Sequence, residues 1–458
     1  MSRSNQRDQE RELTRRALIK WSLAAGAALG VSRSRILGVL DKTAGRGIAD
    51  AAGMVSTKRS IHIRAGSGGF AWFQLLWPQN DIAAAADGTV AWHQPAQTRM
   101  APGTDRPLTV SSDSPFDTFA GNRQMSVFMA GSNEAHVNNP NSIVRSVGGS
   151  SMFAIAAALQ STNASVVPVI TVADVALGSA PGAPRAAVVP TGEDIVGLFN
   201  SAASRAGQLL AASSHADLYR AHYATLAGLN RAAERSTNKL PYATGRSAAR
   251  FLGTNLELEL RILPADLTRY GIDPSTRPEI AEIGRTLIVA AKAFASGLTS
   301  SVILPGIRDD PHTAFDNMTS LAATTRGLKK VLDGFMADLA SKTDSLTQQP
   351  LSESIVITIE GDTPKTPLDR VNWLDNTPGN SNWVYVYGGG KLRTGWFGGI
   401  TRTGVVSGFD PATGAAAPYQ GDLQAQAAVA AVAYAIANGD KRRVGDFTNA
   451  NIAGITVP

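Results

Sequence analysis

Three short polar segments hold residue types that suit metal-assisted ester chemistry. Asp309-Asp310-Pro311-His312 puts two carboxylates and an imidazole on one stretch, and oxygen and nitrogen donors of this kind bind divalent metals. Glu360-Gly361-Asp362-Thr363-Pro364 brings a second acidic pair, as a two-metal or metal-plus-base site requires. On this reading Asp310, His312 and Asp362 are metal ligands, and Glu360 is a ligand or general base. Gly66-Ser67-Gly68-Gly69 offers backbone N–H groups to an anion and Ser67 as a hydroxyl nucleophile. That hydroxyl needs activation by a base or metal from elsewhere in the chain. Each segment also has a plain structural reading. Asp310 or Thr313 can cap a helix, Asp362 and Thr363 can form a turn before Pro364, and glycines after a strand can simply turn the chain. The remaining histidines (His62, His93, His136, His215, His222) show no metal-ligand spacing among themselves. His62 alternates with apolar neighbours, as on a half-buried strand. Walker A, HExxH and dinucleotide GxGxxG patterns are absent.

The elements that must position these residues alternate between strand and helix. Apolar and alternating runs predict strands at 59–65, 166–172, 300–304, 354–359 and 383–387. Gly148-Gly149-Ser150-Ser151 opens an apolar helix that reaches about Gln160, with a serine placed to cap it. The stretch 193–299 is dominantly helical, broken at Pro241, Pro264 and Pro274. Apolar residues at helical spacing predict one long helix over 313–342, and an Ala-rich helix covers about 423–437. Residues 78–125 are rich in Pro, Gly, Asp and Thr and read as long loops. The expected class is therefore α/β: a mixed, mostly parallel sheet with helices on both faces. In such sheets sites form beyond the carboxyl ends of the strands. Three strand exits, at 66–69, 308–312 and 360–366, carry polar or flexible-looking sequence.

The first 51 residues read differently. A basic region to Lys20 precedes an uncharged apolar stretch from Trp21 to Val31. That stretch is too short for a comfortable membrane span, which needs about 20 residues, and the order is that of a cleaved leader. Thr14-Arg15-Arg16-Ala17-Leu18-Ile19-Lys20 resembles the twin-arginine export consensus, with Arg15 and Arg16 as the paired arginines. Ala49-Asp50-Ala51 is a candidate cleavage site, and a retained basic amphipathic anchor is the other reading. The expectation is a signal over residues 1–51, the twin-arginine translocase as an export partner, and a periplasmic or otherwise extracytoplasmic location. Residues 52–458 would then form one α/β domain with a helical insertion at about 193–299. No second apolar stretch near 20 residues follows, so no stable membrane span is expected after cleavage.

Removing the leader changes the electrostatics. It holds ten Lys or Arg and five Asp or Glu, so subtracting its +5 from the chain's +6 leaves +1. A nucleic-acid surface needs a basic face, and the rest of the chain supplies none; Lys441-Arg442-Arg443 reads as a solvated helix end. Cysteine is absent, which excludes disulfides, thiolate catalysis and cysteine-ligated metals.

Taken in order, these segments resemble the bacterial domain-of-unknown-function 1501 family. Its members are often twin-arginine exported and are grouped with alkaline phosphatases and sulfatases. Arg64 to Phe70 corresponds to the family's Gly-Gly-x-Asp-Gly loop, and Asp310-Pro311-His312 to its Asp-Thr-His loop. Ile359-Glu360-Gly361-Asp362-Thr363-Pro364 corresponds to Glu-Phe-Gly-Arg-Thr-Pro. Ser381-Asn382-Trp383 stands for Asp-His-Trp, before Gly388 to Gly390 and a glycine-rich turn at Arg393 to Ile400. The resemblance implies an alkaline phosphatase- or sulfatase-like fold. It also implies a divalent metal (Zn, Mg or Ca) held by Asp310, His312, Asp362 and Asn382. The departures fall on the chemical positions: the first loop lacks its aspartate, and Ser381 and Asn382 replace aspartate and histidine. Two expectations follow. One is a binding or assembly protein that kept the fold and lost the metal centre, with 369–381 and the aromatics Trp383, Tyr385, Trp396 and Phe397 as a partner surface or as core. The other is an extracytoplasmic metal-dependent hydrolase of phosphate or sulfate esters.

Overall fold

The structure is a computed structural model that describes residues 57–64, 76–77, 99–100, 104, 106, 108–116, 125–131, 146–199, 221, 251, 255–307, 318–345, 347–360, 379, 381–401 and 404–457. In chain order these residues form β1 (Arg59–Arg64), β2 (Arg99–Met100), β3 (Thr109–Val110), β4 (Met125–Ala130), β5 (Ser146–Val147) and β6 (Ser150–Ser151). Then come α1 (Met152–Gln160), β7 (Val167–Val172), β8 (Ala187–Val189), α2 (Ile195–Phe199), α3 (Leu256–Leu260), α4 (Pro264–Arg269), α5 (Pro278–Ala295) and β9 (Thr299–Pro305). The remainder is α6 (Met318–Ala340), β10 (Ile355–Glu360), β11 (Asn382–Tyr387), β12 (Gly395–Phe397), β13 (Gly399–Ile400), β14 (Val406–Phe409), β15 (Ala416–Ala417), α7 (Gly421–Ile436) and α8 (Lys441–Val444).

The chain divides into two compact units. One contains residues 164–166 and 193–261, and the other contains 55–163, 167–192 and 262–458. The helical insertion expected at 193–299 is thus split, since α4 and α5 belong to the unit that holds the sheet. In the smaller unit α2 packs on α3, whose first turn is capped by the Asn255 side chain accepting from the Leu258 N–H.

The larger unit is built on eight strands in the order β12-β4-β11-β10-β1-β9-β7-β8. Only β11 runs against the rest, antiparallel to both β10 and β4. This is the mixed, mostly parallel α/β sheet that the alternation of elements predicts. Its strands read as near-continuous apolar or β-branched runs because both faces are covered. On one face lie α1 and α7, packed on Phe128, Val169, Ile303, Val356, Val384 and Val386. Burying each such large apolar side chain contributes about 1.5–3 kcal/mol. The opposite face carries α5, whose Phe294 ring lies beneath the Arg59 guanidinium of β1 at 5.9 Å, and α6, packed on α5.

Local chemistry sets the helix ends. Ser151 caps α1 by accepting from the Ala154 N–H, as its position predicts. Pro278 starts α5, where its missing N–H costs nothing. Gly297, at φ +73°, ends the helix in a Schellman turn. There the Gly297 and Leu298 N–H groups donate to the Phe294 and Ala293 carbonyls, and the chain turns directly into β9.

Gly334 of α6 sits where a Cβ would lie 2.7 Å from the Arg269 carbonyl oxygen and 2.8 Å from Tyr270 Cα. In a free helix alanine would be favoured over glycine by about 1 kcal/mol. Here the collision is with backbone, and overpacking of that kind costs about 1–3 kcal/mol. Gly334→Ala is therefore expected to lower the urea midpoint, with a net loss of up to about 2 kcal/mol. A rise in midpoint would mean that α4 and α6 are not in close contact there.

Candidate functional site

The carboxyl ends of the three central strands lie side by side. Arg64, the last residue of β1, is in register with Pro305 of β9 on one side and Glu360 of β10 on the other. The Gly306 N–H donates to the Arg64 carbonyl at 2.5 Å, carrying the ladder one step past β9. The segments that begin at 65, 308 and 361 therefore start from one rim. Asn382 opens the antiparallel β11 at that same rim, opposite Ala130 at the end of β4.

Side chains in register on adjacent strands share a face. Arg64 pairs with Glu360, Glu360 with Val384, and Asn382 lies two residues before Val384. Arg64, Glu360 and Asn382 consequently all project on the face covered by α1 and α7. All three are buried. Both helices run antiparallel to most of the strands. The Gly421 carbonyl at the start of α7 accepts from the Gly131 N–H just past β4, and the Ile436 carbonyl at its end accepts from the Lys58 N–H before β1.

Below the rim, the same face carries a polar cluster in the heart of the sheet. His62, two residues before Arg64, is fully buried. Its Nδ1 lies 2.7 Å from Thr358 Oγ1 and its Nε2 3.0 Å from Ser60 Oγ. Ser60 Oγ donates to Ser301 Oγ at 2.9 Å, and Gln160 Nε2 of α1 donates to Ser60 Oγ at 3.1 Å. The Phe153 ring packs against the imidazole, with centroids 5.1 Å apart. Burial pushes His62 down to about 3, so it is neutral, one ring nitrogen donating and the other accepting. Ser60, His62 and Thr358 superficially resemble a nucleophile–base arrangement. Sealed under α1 and hydrogen-bonded internally, they hold strands and helix in place. The half-buried position expected for His62 is corrected to a fully buried one, because helix α1 covers this strand face.

Of the candidate residues, Glu360 and Asn382 are within the described structure, both buried at the same rim of the sheet. Ser67, Asp310, His312 and Asp362 lie outside the described residues, as do Arg15 and Arg16. Asn382 is already engaged: its Oδ1 accepts from the Trp383 N–H at 2.6 Å. Among the described residues, no three His, Asp or Glu side chains group closely enough to hold a metal ion. In the sequence Arg64 only ends a strand and opens the segment likened to the Gly-Gly-x-Asp-Gly loop. Its signal is register, which emerges only once β1 and β10 pair.

Of the two readings of the aromatics, as a partner surface or as core, the second holds. Trp383, Tyr385, Trp396 and Phe397 are all buried. On the face away from α1, Trp396 Nε1 donates to the Trp77 carbonyl at 3.2 Å, and Trp77 packs against Tyr385 and Phe116. The cluster Lys441-Arg442-Arg443 is only partly a solvated helix end. Lys441 and Arg442 are exposed, while the Arg443 guanidinium donates to the Leu159 carbonyl in the last turn of α1. No helix among the described residues is long and apolar enough to cross a membrane. Comparison with family models, with curated proteins and with solved structures finds no match for the chain.

Proposed function

We propose that this is an exported binding or assembly protein on a phosphatase- and sulfatase-like body. In this reading the carboxyl rim holds a ligand through polar contacts and has lost ordinary metal-dependent catalysis. The observation that carries it is the register of Arg64 against Glu360. Neighbouring strands lie about 4.8 Å apart, so a divalent ion held by Glu360 would sit close to a permanent guanidinium charge. At about 6 Å and an effective dielectric of about 20, that repulsion is roughly 5 kcal/mol. It would offset part of what Glu360 contributes as a ligand at about 2 Å. The Asn382 carbonyl, already accepting from the Trp383 N–H, is a weak substitute for an imidazole or carboxylate ligand. A guanidinium, a carboxylate and an amide on one face of the rim suit a ligand that both donates and accepts hydrogen bonds. The export part of the reading rests on Arg15-Arg16 and the apolar stretch that follows. It implies the twin-arginine translocase as a partner and a periplasmic or other extracytoplasmic location.

The second reading is a metal-dependent phosphate- or sulfate-ester hydrolase. It is favoured by three adjacent strand ends leading to the segments with Ser67, Asp310, His312 and Asp362, beside a buried Glu360. Assay of the purified protein on aryl phosphate and aryl sulfate esters, with Zn²⁺, Mg²⁺ or Ca²⁺ added, separates the two. Binding without catalysis predicts the same background rate for the parent and Glu360→Gln. Metal-dependent turnover that Glu360→Gln abolishes would favour the hydrolase.

A further inference from the structure

We draw no further inference here: the strongest candidate, the buried indole N–H of Trp383 at the start of β11, which has no acceptor among the described residues, is packed edge-on with Trp396 inside the core, and nothing among the described residues shows a cavity in front of it.

Discussion

Lowering the pH from about 7 to about 4.5 is expected to remove about 3 kcal/mol of stability through His62 alone. In the fold, burial holds this imidazole at about 3, against 6.5 for an ordinary histidine. Between those values the unfolded chain binds a proton that the folded chain refuses, so stability rises with pH. The contribution is complete above about pH 6.5 and is lost progressively as the pH falls toward about 3. The lowered carboxylates, such as Asp266, whose ordinary value is 3.8, act only at the acid end of this window. For Asp266, burial pushes the carboxyl up, but the Lys292 hydrogen bond and the neighbouring charges outweigh it and hold it down. Urea unfolding measured at a series of pH values, in the parent and in His62→Gln, tests this. The variant should be less stable at pH 7 and should show a flatter slope between about pH 6.5 and 4.5. Equal slopes would mean that the imidazole is not held neutral in the core.

Arg59→Met is expected to cost about 3–5 kcal/mol, the range for breaking a buried ion pair by removing one partner. Both side chains of the Arg59–Asp344 pair are fully buried, with Nη2 3.0 Å from Oδ1. Nη1 also donates to the Thr299 carbonyl at 2.5 Å. The pair ties the start of β1 to the turn after α6 and to the start of β9, so it fixes the end of the sheet opposite the rim. Truncating the arginine leaves a buried carboxylate without its cation, and that orphaned charge dominates the cost. Replacing both residues, as Arg59→Met with Asp344→Leu, should recover a substantial part of the loss. Chemical denaturation of the two singles and the double supplies the cycle. Strict additivity would show that the two side chains do not depend on each other.

How far the fold was legible follows from which signals are local. The apolar, β-branched run in Ser354-Ile355-Val356-Ile357-Thr358-Ile359, the serine before α1 and the Ala-rich run of α7 are local patterns. The structure puts β10, α1 and α7 within a residue or two of their expected bounds. β4 was not foreseen, although Met-Ser-Val-Phe-Met-Ala is buried along its whole length. A six-residue apolar run after loop-like sequence carries no period that tells strand from helix. The direction of β11 was also hidden, because it depends on which neighbours the strand finds. The same holds for the rim. Glu360 and Asn382 could be picked out as polar residues at strand ends. The pairing of Arg64 with Glu360 joins positions almost three hundred residues apart and is set by register alone. His62 shows the converse: its alternation marked a strand, but only the arrival of α1 decides that its ring is sealed from water.

The proposed function requires that the rim carrying Arg64, Glu360 and Asn382 hold no divalent metal. Its most direct test is calorimetric titration of the purified full-length protein with Zn²⁺, followed by elemental analysis after dialysis, alongside Glu360→Gln. No stoichiometric tight binding is expected, and the traces of parent and variant should be identical. One or two ions retained per chain by the parent and lost in Glu360→Gln would contradict it.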